Sequence, residues 1–437
     1  MSDTPRVVVS PDRALVDERF SVRLAGFPPW RQVTVRARMP LDGGLWESRA
    51  TVRTDDDGTV DLDTQRPLDG TYAAADAMGL VWSAERIGAR PAPRERTQTD
   101  GNVSLTATVG GQRVASATVE RRFRREGVAD EPVDHPEFVA QLYEPSVGSS
   151  GGGGSHPGVV LLGGSSGGFP SRRVASLLAS RGYAVLALAY FGREGLPSRL
   201  VEVPLEYVES AVEWFAERER VRPEPLGVVG WSRGGELALL VASRCARLRT
   251  AIGYAPSPVT FQGNRLLSDA GSAWTVDGEP LPYVPLARPP GFRLRAVARW
   301  LRGRALSLRP LFERGLSRAS DSRVRAATTP VEAIGGPVLL VTGGDDRVWP
   351  ADRLSTRATA HLDEQAYAHS YDHLRVPAAG HDIKLPYHPT TERATRPFPV
   401  PGRPLTLDMG GTPAGYARAD AEAWKRTLAT LDEGLRS

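Results

Sequence analysis

The chain has 437 residues, enough for two or three domains of ordinary size, and its 41% hydrophobic and 24% charged content excludes wholesale disorder. Its 55 basic and 51 acidic residues leave a formal net charge of +4, and only Lys384 and Lys425 are lysines, so almost every cation is an arginine. A single cysteine, Cys245, excludes a disulfide framework and a multi-cysteine zinc site, and no stretch reaches the roughly 18 apolar residues of a membrane span.

The first 120 residues predict strands. Phe20, Val22 and Leu24 alternate with polar residues, as do Val33, Val35 and Ala37. Val103, Leu105, Ala107 and Val109 run into Gly110-Gly111, and VASATV follows, which is the pattern of a tight hairpin. Short strands between Gly, Pro and Asp clusters predict an all-β sandwich over residues 1–125, with no helical periodicity and no clustered acid, base or nucleophile. Such a domain shapes or covers a site and carries no chemistry itself.

Residues 126–437 have a different character. Phe138–Tyr143 reads as a strand, and the run GSSGGGGS at 148–155 as an exposed loop before the next one. GVVLLG (158–163), YAVLALA (183–189), LGVVG (226–230), LRTAIGY (248–254) and PVLLVT (337–342) read as buried strands. Between them, 170–182, the segment carrying Leu205, Val208, Val212 and Phe215, and 233–246 have helical spacing. Apolar strands alternating with amphipathic helices predict a parallel sheet covered on both faces. Residues 255–330, rich in Pro, Arg and aromatics, are too long for an ordinary connection and predict a cap over the active-site edge.

The strongest chemical signal is Gly230-Trp231-Ser232-Arg233-Gly234, between a predicted strand and a predicted helix. A serine on that turn is pushed out at the carboxyl edge of the sheet, and the flanking glycines let strand and helix approach. The alternative is a turn whose serine only caps a helix. A serine nucleophile needs a base and an acid to orient that base, and in this architecture they follow as acid and then histidine. Asp346 and its neighbour Asp345 lie just past PVLLVT, and His381 follows a strand in VPAAGHDI. His361, His369, His373 and His388 lack that strand-and-small-loop setting. An oxyanion hole is expected from two backbone N–H groups: that of Arg233, and one from Gly163-Gly164-Ser165-Ser166-Gly167-Gly168, with Ser165 favoured over Ser166.

GGSSGG lacks the spacing of a dinucleotide loop, no GK[ST] string occurs, and no metal-binding string appears, so neither a nucleotide cofactor nor a metal is expected. Cys245, in LLVASRCARL, reads as a packing residue inside the helix after Ser232. Nucleic acid is not an expected partner: apart from RRFRR at 121–125, basic residues are interspersed with acids. The N-terminus has no apolar core behind a basic patch, so the expected setting is the cytoplasm. Monomer and homo-oligomer are equally compatible with these patterns.

These motifs together resemble the acyl-CoA thioester hydrolase and bile acid-CoA:amino acid N-acyltransferase family. The resemblance runs along nearly the whole chain, through VVVSPDRALVDERFSVRLAGFPP, LDGGLWESRA and MGLVWS, then LLGGSSGG, LALAYFGREGLP, GWSRGGELAL, AWTVDGEPLPYVP, GGDDRVWP, AAGHDIKLPY and GGTPAGYARADAEAWKRTL. It implies an immunoglobulin-like N-terminal β-sandwich joined to an α/β-hydrolase domain of the dienelactone hydrolase kind, an acyl-CoA substrate, and a triad on Ser232, Asp346 and His381. The family's pattern GxxD also carries the preference for Asp346 over Asp345. Some members, notably the conjugating enzymes, place cysteine at the nucleophile. Serine here implies thioester hydrolysis, with transfer to an amino acid and carboxylesterase or dienelactone-type hydrolase activity as the alternatives.

Overall fold

A computed structural model of the chain describes residues 4–88, 101–146, 154–264, 270–398 and 404–436. Two compact units are present: Met1–Arg125 with Lys384–Arg393 and Thr412–Ala421, and Glu126–Ile383 with Ala394–Gly411 and Glu422–Ser437.

The first unit is built on two sheets. Arg6–Ser10, Ser21–Ala25 and Val60–Asp61 form one. The other runs in the order Arg13–Leu15, Gln112–Arg122, Val103–Val109, Gln32–Leu41, Gly44–Arg53 and Asp69–Gly70, with Glu85–Ile87 also pairing Gly44–Arg53. Along Gln32–Leu41, Val33, Val35, Ala37, Met39 and Leu41 are buried and the intervening residues are not, which is the period of a half-buried strand. Gly110 and Gly111 close the hairpin with φ of 56° and 84°, the positive values that a tight two-residue turn demands at both central positions.

Two features of this unit were not expected. Gly79–Trp82 is a short helix, fully buried, where only strands were anticipated. Four residues are too few to show a helical period, and glycine is required because a Cβ at position 79 would overlap the ring of Tyr72. The unit also draws on residues far along the chain. Thr390 donates through its N–H and Oγ1 to the carbonyl of Trp82, Thr391 Oγ1 donates to Ala84, and Arg121 donates to the carbonyl of Tyr387 at 3.0 Å.

The second unit has an eight-stranded sheet: β1 Ala129–Val133, β2 Val139–Glu144, β3 His156–Leu162, β4 Ala184–Ala189, β5 Val221–Trp231, β6 Leu248–Tyr254, β7 Val338–Gly343 and β8 Tyr371–Val376. Their order is β1-β2-β4-β3-β5-β6-β7-β8. β3 to β8 are parallel, whereas β2 runs antiparallel to β4 and β1 antiparallel to β2. The sheet is therefore mixed at one edge, a correction to the wholly parallel expectation. β1 is polar and half-exposed and contains Pro132, which an edge strand tolerates because one of its sides needs no partner. β3 and β4 are buried at every residue, as parallel strands covered on both faces are.

Helices α1 (Arg172–Ser180), α2 (Leu205–Ala216), α3 (Arg233–Ala242) and, after β7, Ala351–Glu364 connect the strands. This strand order with intervening helices is the α/β-hydrolase fold. The insertion between β6 and β7 contains α4 (Phe292–Leu301), α5 (Arg309–Arg318) and α6 (Asp321–Ala326), so the helix Ala351–Glu364 is α7 and Pro413–Arg436 is α8. A bridge between Val259 and Thr328 closes the base of the insertion. Its Phe261, Phe292, Leu308, Leu311 and Phe312 share a core with Trp349 and Leu354, which lie after β7. Most of the GSSGGGGS run, residues 148–153, and residues 265–269 of the expected cap lie outside the described residues. No helix among the described residues is long and apolar enough to cross a membrane.

Candidate active site

β5 ends at Trp231 and α3 begins at Arg233, so Ser232 alone makes the turn between them. It adopts φ 55° and ψ −116°, a conformation that an L-residue with a Cβ occupies only under strain. Two glycines make the turn possible. A Cβ at Gly230 would overlap the carbonyl of Gly234, and one at Gly234 would overlap the carbonyls of Leu162 and Gly163 at the end of β3. The Ser232 N–H is tied to the carbonyl of Tyr254 on β6 at 2.7 Å.

The side chain of Ser232 points to His381: Oγ lies 2.9 Å from Nε2. On the other side of the ring, Nδ1 is 2.8 Å from Asp346 Oδ2. A carboxylate can only accept, so Nδ1 carries the proton and Nε2 is the acceptor facing the serine hydroxyl. Asp346 is 1% exposed, and its second oxygen accepts the N–H groups of Val348 at 2.8 Å and Trp349 at 3.2 Å. The backbone N–H of His381 donates to Met409 at 2.8 Å, and the Trp349 ring meets the imidazole edge-to-face at 6.2 Å. Trp349 is itself anchored, its Nε1 donating to the carbonyl of Ala255 at 3.0 Å.

The neighbouring aspartate is occupied elsewhere. Asp345 pairs with Arg347 at 3.0 Å and accepts the Gly411 N–H at 2.9 Å. Burial pushes its carboxyl up, but these two partners outweigh that and hold it below the usual range. The other histidines also lie elsewhere. His373 faces Thr342 Oγ1 at 2.7 Å, and burial lowers its pKa. His361 sits 3.1 Å from Glu332, His369 packs on Tyr367, and His388 stacks on Phe123.

The loop after β3 is brought against the serine. A Cβ at Gly164 would lie 3.1 Å from the Trp231 carbonyl oxygen and 3.3 Å from Ser232 Cβ, so the backbone here passes close to the turn that carries Ser232. Tyr190 donates its hydroxyl to the carbonyl of Gly163, and Asn264 of the insertion reaches the carbonyl of Ser165 at 3.4 Å. Ser165 is exposed at the lip of this loop. Arg233 is the first residue of α3, so its N–H has no acceptor within the helix. Cys245 lies just past the end of α3, not inside it as expected; its N–H bonds Val241 at 2.8 Å, and burial pushes the thiol up.

Known proteins add the family. Residues 17–135 match the model of the acyl-CoA thioester hydrolase/BAAT N-terminal region, and residues 203–437 match that of the BAAT/acyl-CoA thioester hydrolase C terminus, BAAT being bile acid-CoA:amino acid N-acyltransferase. Acyl-coenzyme A thioesterase 6 of Mus musculus is 32% identical over 95% of this chain and 93% of its own. Acyl-coenzyme A thioesterase 1 of the same species is 30% identical over 97% and 95%. Bile acid-CoA:amino acid N-acyltransferase of Mus musculus is 29% identical over 98% of both. The chain belongs to the acyl-CoA thioester hydrolase/bile acid-CoA:amino acid N-acyltransferase family.

In this family member, a buried polar cluster lies directly behind the serine, and sequence reasoning missed it. Arg233, 3% exposed, pairs with Glu236, 0% exposed, at 2.8 Å. The same guanidinium donates to the carbonyls of Phe261 and Gln262 at 3.2 and 2.9 Å, and Trp274 Nε1 donates to the second oxygen of Glu236 at 2.6 Å. Three residues of the insertion are thus fastened to the first turn of α3. Burial pushes the Glu236 carboxyl up to about 7 against the opposing pull of Arg233 and Trp274. The i, i+3 spacing of Arg233 and Glu236 was visible in the sequence, but their burial was not, because Trp274 and the two carbonyls arrive from a distant segment.

Proposed function

We propose that this chain is an acyl-CoA thioesterase that hydrolyses fatty acyl-CoA to free acid and CoA. The observation that carries the reading is the chain of hydrogen bonds from Ser232 Oγ through His381 to Asp346, in a protein whose relatives are named for acyl-CoA chemistry.

In this reading His381 Nε2 takes the proton of Ser232 as Oγ attacks the thioester carbonyl. Asp346 keeps the imidazole in the right tautomer and stabilises the imidazolium. The negative charge of the tetrahedral adduct is received by the N–H groups of Arg233 and Ser165, helped by the positive end of α3. When the adduct collapses, the C–S bond breaks, His381 returns its proton to the departing sulfur, and the acyl group remains on Ser232 as an oxygen ester. A thiol ionises near pH 8.5 in the case of cysteine, far below an alcohol, so the sulfur leaves readily. Water, deprotonated by His381, then attacks the ester; the acid is released and Ser232 regains its proton. The catalytic unit is the one that holds Ser232, Asp346 and His381, with a cap at about 255–330, and the first unit, residues 1–125 with Lys384–Arg393 and Thr412–Ala421, carries no chemistry. The proposed setting is the cytoplasm, where a chain with only Cys245 needs no disulfide.

A panel of acyl-CoAs assayed beside a nitrophenyl ester and a lactone tests the substrate class, with free CoA as the readout. The reading expects acyl-CoA to be preferred. Because several relatives are named N-acyltransferases, the same assay is run with glycine or taurine present. An amide product in place of free acid would replace hydrolysis by transfer.

A further inference from the structure

The insertion between β6 and β7 presents a basic, apolar helix face to solvent. Residues 280–312 contain no acid and seven arginines, in a chain whose charges are otherwise nearly balanced. Within this stretch α4 has two apolar faces. Phe292 and Ala296 pack into the core of the insertion. Leu294, Val297 and Leu301 do not: they are 78%, 54% and 65% exposed.

At 100° per residue these three fall within about 60° of one another, on the side of the helix away from Phe292. Arg295 and Arg302 lie about 80–100° to one side of Leu294, and Arg293 about 100° to the other. Arg299 and Arg302 donate to the nearby carbonyls of Ala305 and Ala298. Arg293, Arg295, Arg299, Arg302 and Arg304 have no carboxylate partner among the described residues. A solvated helix gains nothing from an apolar stripe opposite its buried face. A stripe bordered by unpaired arginines fits an interface that is apolar inside and anionic at its rim.

We propose that α4 docks this protein on the surface of an anionic lipid bilayer, with Leu294, Val297 and Leu301 entering the headgroup boundary and the flanking arginines meeting lipid phosphates. Aliphatic residues on one face and arginines beside them are the pattern of a helix lying in the plane of a bilayer, and guanidinium binds phosphate with two parallel hydrogen bonds. The attachment is peripheral and reversible. It goes beyond the thioesterase reading and stands independently of it, because docking requires no turnover.

The test is co-sedimentation of the full chain with vesicles of phosphatidylcholine alone and of phosphatidylcholine mixed with phosphatidylglycerol. The expected result is binding to the anionic vesicles only, weakened by added salt. A triple Arg293→Gln, Arg295→Gln, Arg302→Gln variant is expected to bind at least about tenfold more weakly, since each arginine near an anionic surface is worth about fivefold. Leu294→Gln with Leu301→Gln should also lower binding, with circular dichroism and melting temperature unchanged because both side chains are already exposed. Failure to bind anionic vesicles, equal binding to neutral ones, or undiminished binding by these variants would overturn the proposal. So would a concentration-dependent dimer in light scattering that Leu294→Gln abolishes, since the face would then be occupied by a second copy of the chain.

Discussion

Arg233 and Glu236 form an ion pair at 2.8 Å with 4% and 0% of their side chains exposed, in the first turn of the helix that begins behind Ser232. A pair so buried contributes little net stability against an apolar replacement of both partners, but breaking it strands a charge. Among the described residues, Glu236→Leu leaves the Arg233 guanidinium with hydrogen bonds to the carbonyls of Phe261 and Gln262 and the face of the Trp274 ring at 6.0 Å, and with no counter-charge. The expected cost is about 3–5 kcal/mol, read by urea denaturation. A loss below about 1 kcal/mol would show that the carbonyls satisfy the guanidinium alone.

The same carboxyl makes stability depend on pH, with a definite sign. Its pKa is 4.5 when exposed and is pushed up to about 7 by burial in the fold. The folded chain therefore binds this proton more tightly than the unfolded chain does. The contribution is complete below pH 4.5 and is lost as pH rises toward 7, on the order of 3 kcal/mol in all. Glu236→Gln has no proton to titrate there. The stability of wild type relative to Glu236→Gln should fall between pH 5 and pH 7. A rise over that interval would mean that the pull of Arg233 outweighs burial.

The strained backbone at Ser232 predicts a trade of activity for stability. Glycine occupies φ 55° without the Cβ clash that serine or alanine suffers. Ser232→Gly should be more stable than Ser232→Ala by about 1–2 kcal/mol, while both lack hydrolytic activity. Equal melting temperatures for the two variants would place the strain elsewhere.

Asp345 and Asp346 are adjacent, yet only Asp346 touches His381. Asp346→Asn preserves the shape but removes the acceptor that fixes the imidazole tautomer, and should lower kcat about 10⁴-fold. Asp345→Asn loses a half-exposed pair with Arg347, worth about 0–1 kcal/mol, and should stay within a few-fold of wild-type kcat. The reverse ranking in steady-state kinetics would reassign the acid.

Much of the fold was legible because it is written locally. The continuous apolar runs of β3, β4, β6 and β7 state their burial, and Gly230, Ser232 and Gly234 state a turn that larger residues could not make. His381 could be singled out because a strand precedes it. Asp346 could not be separated from Asp345 by spacing alone, since both follow β7 and only the backbone path decides which one faces the ring. β1 escaped notice because ADEPV lacks an apolar period, and Gly79–Trp82 because it is a single turn. The packing of Thr390, Thr391 and Tyr387 with Trp82, Ala84 and Arg121 is invisible in sequence, because it joins segments more than 260 residues apart. The Arg233–Glu236–Trp274 cluster escaped for the same reason, and its burial has no local signature.

The most direct test of the central claim is CoA release from a fatty acyl-CoA by wild type and by Ser232→Ala, with circular dichroism to show that both are folded. The account predicts steady release by wild type and a loss of about 10⁶-fold in the variant. Release by folded Ser232→Ala at a rate near that of wild type would contradict it.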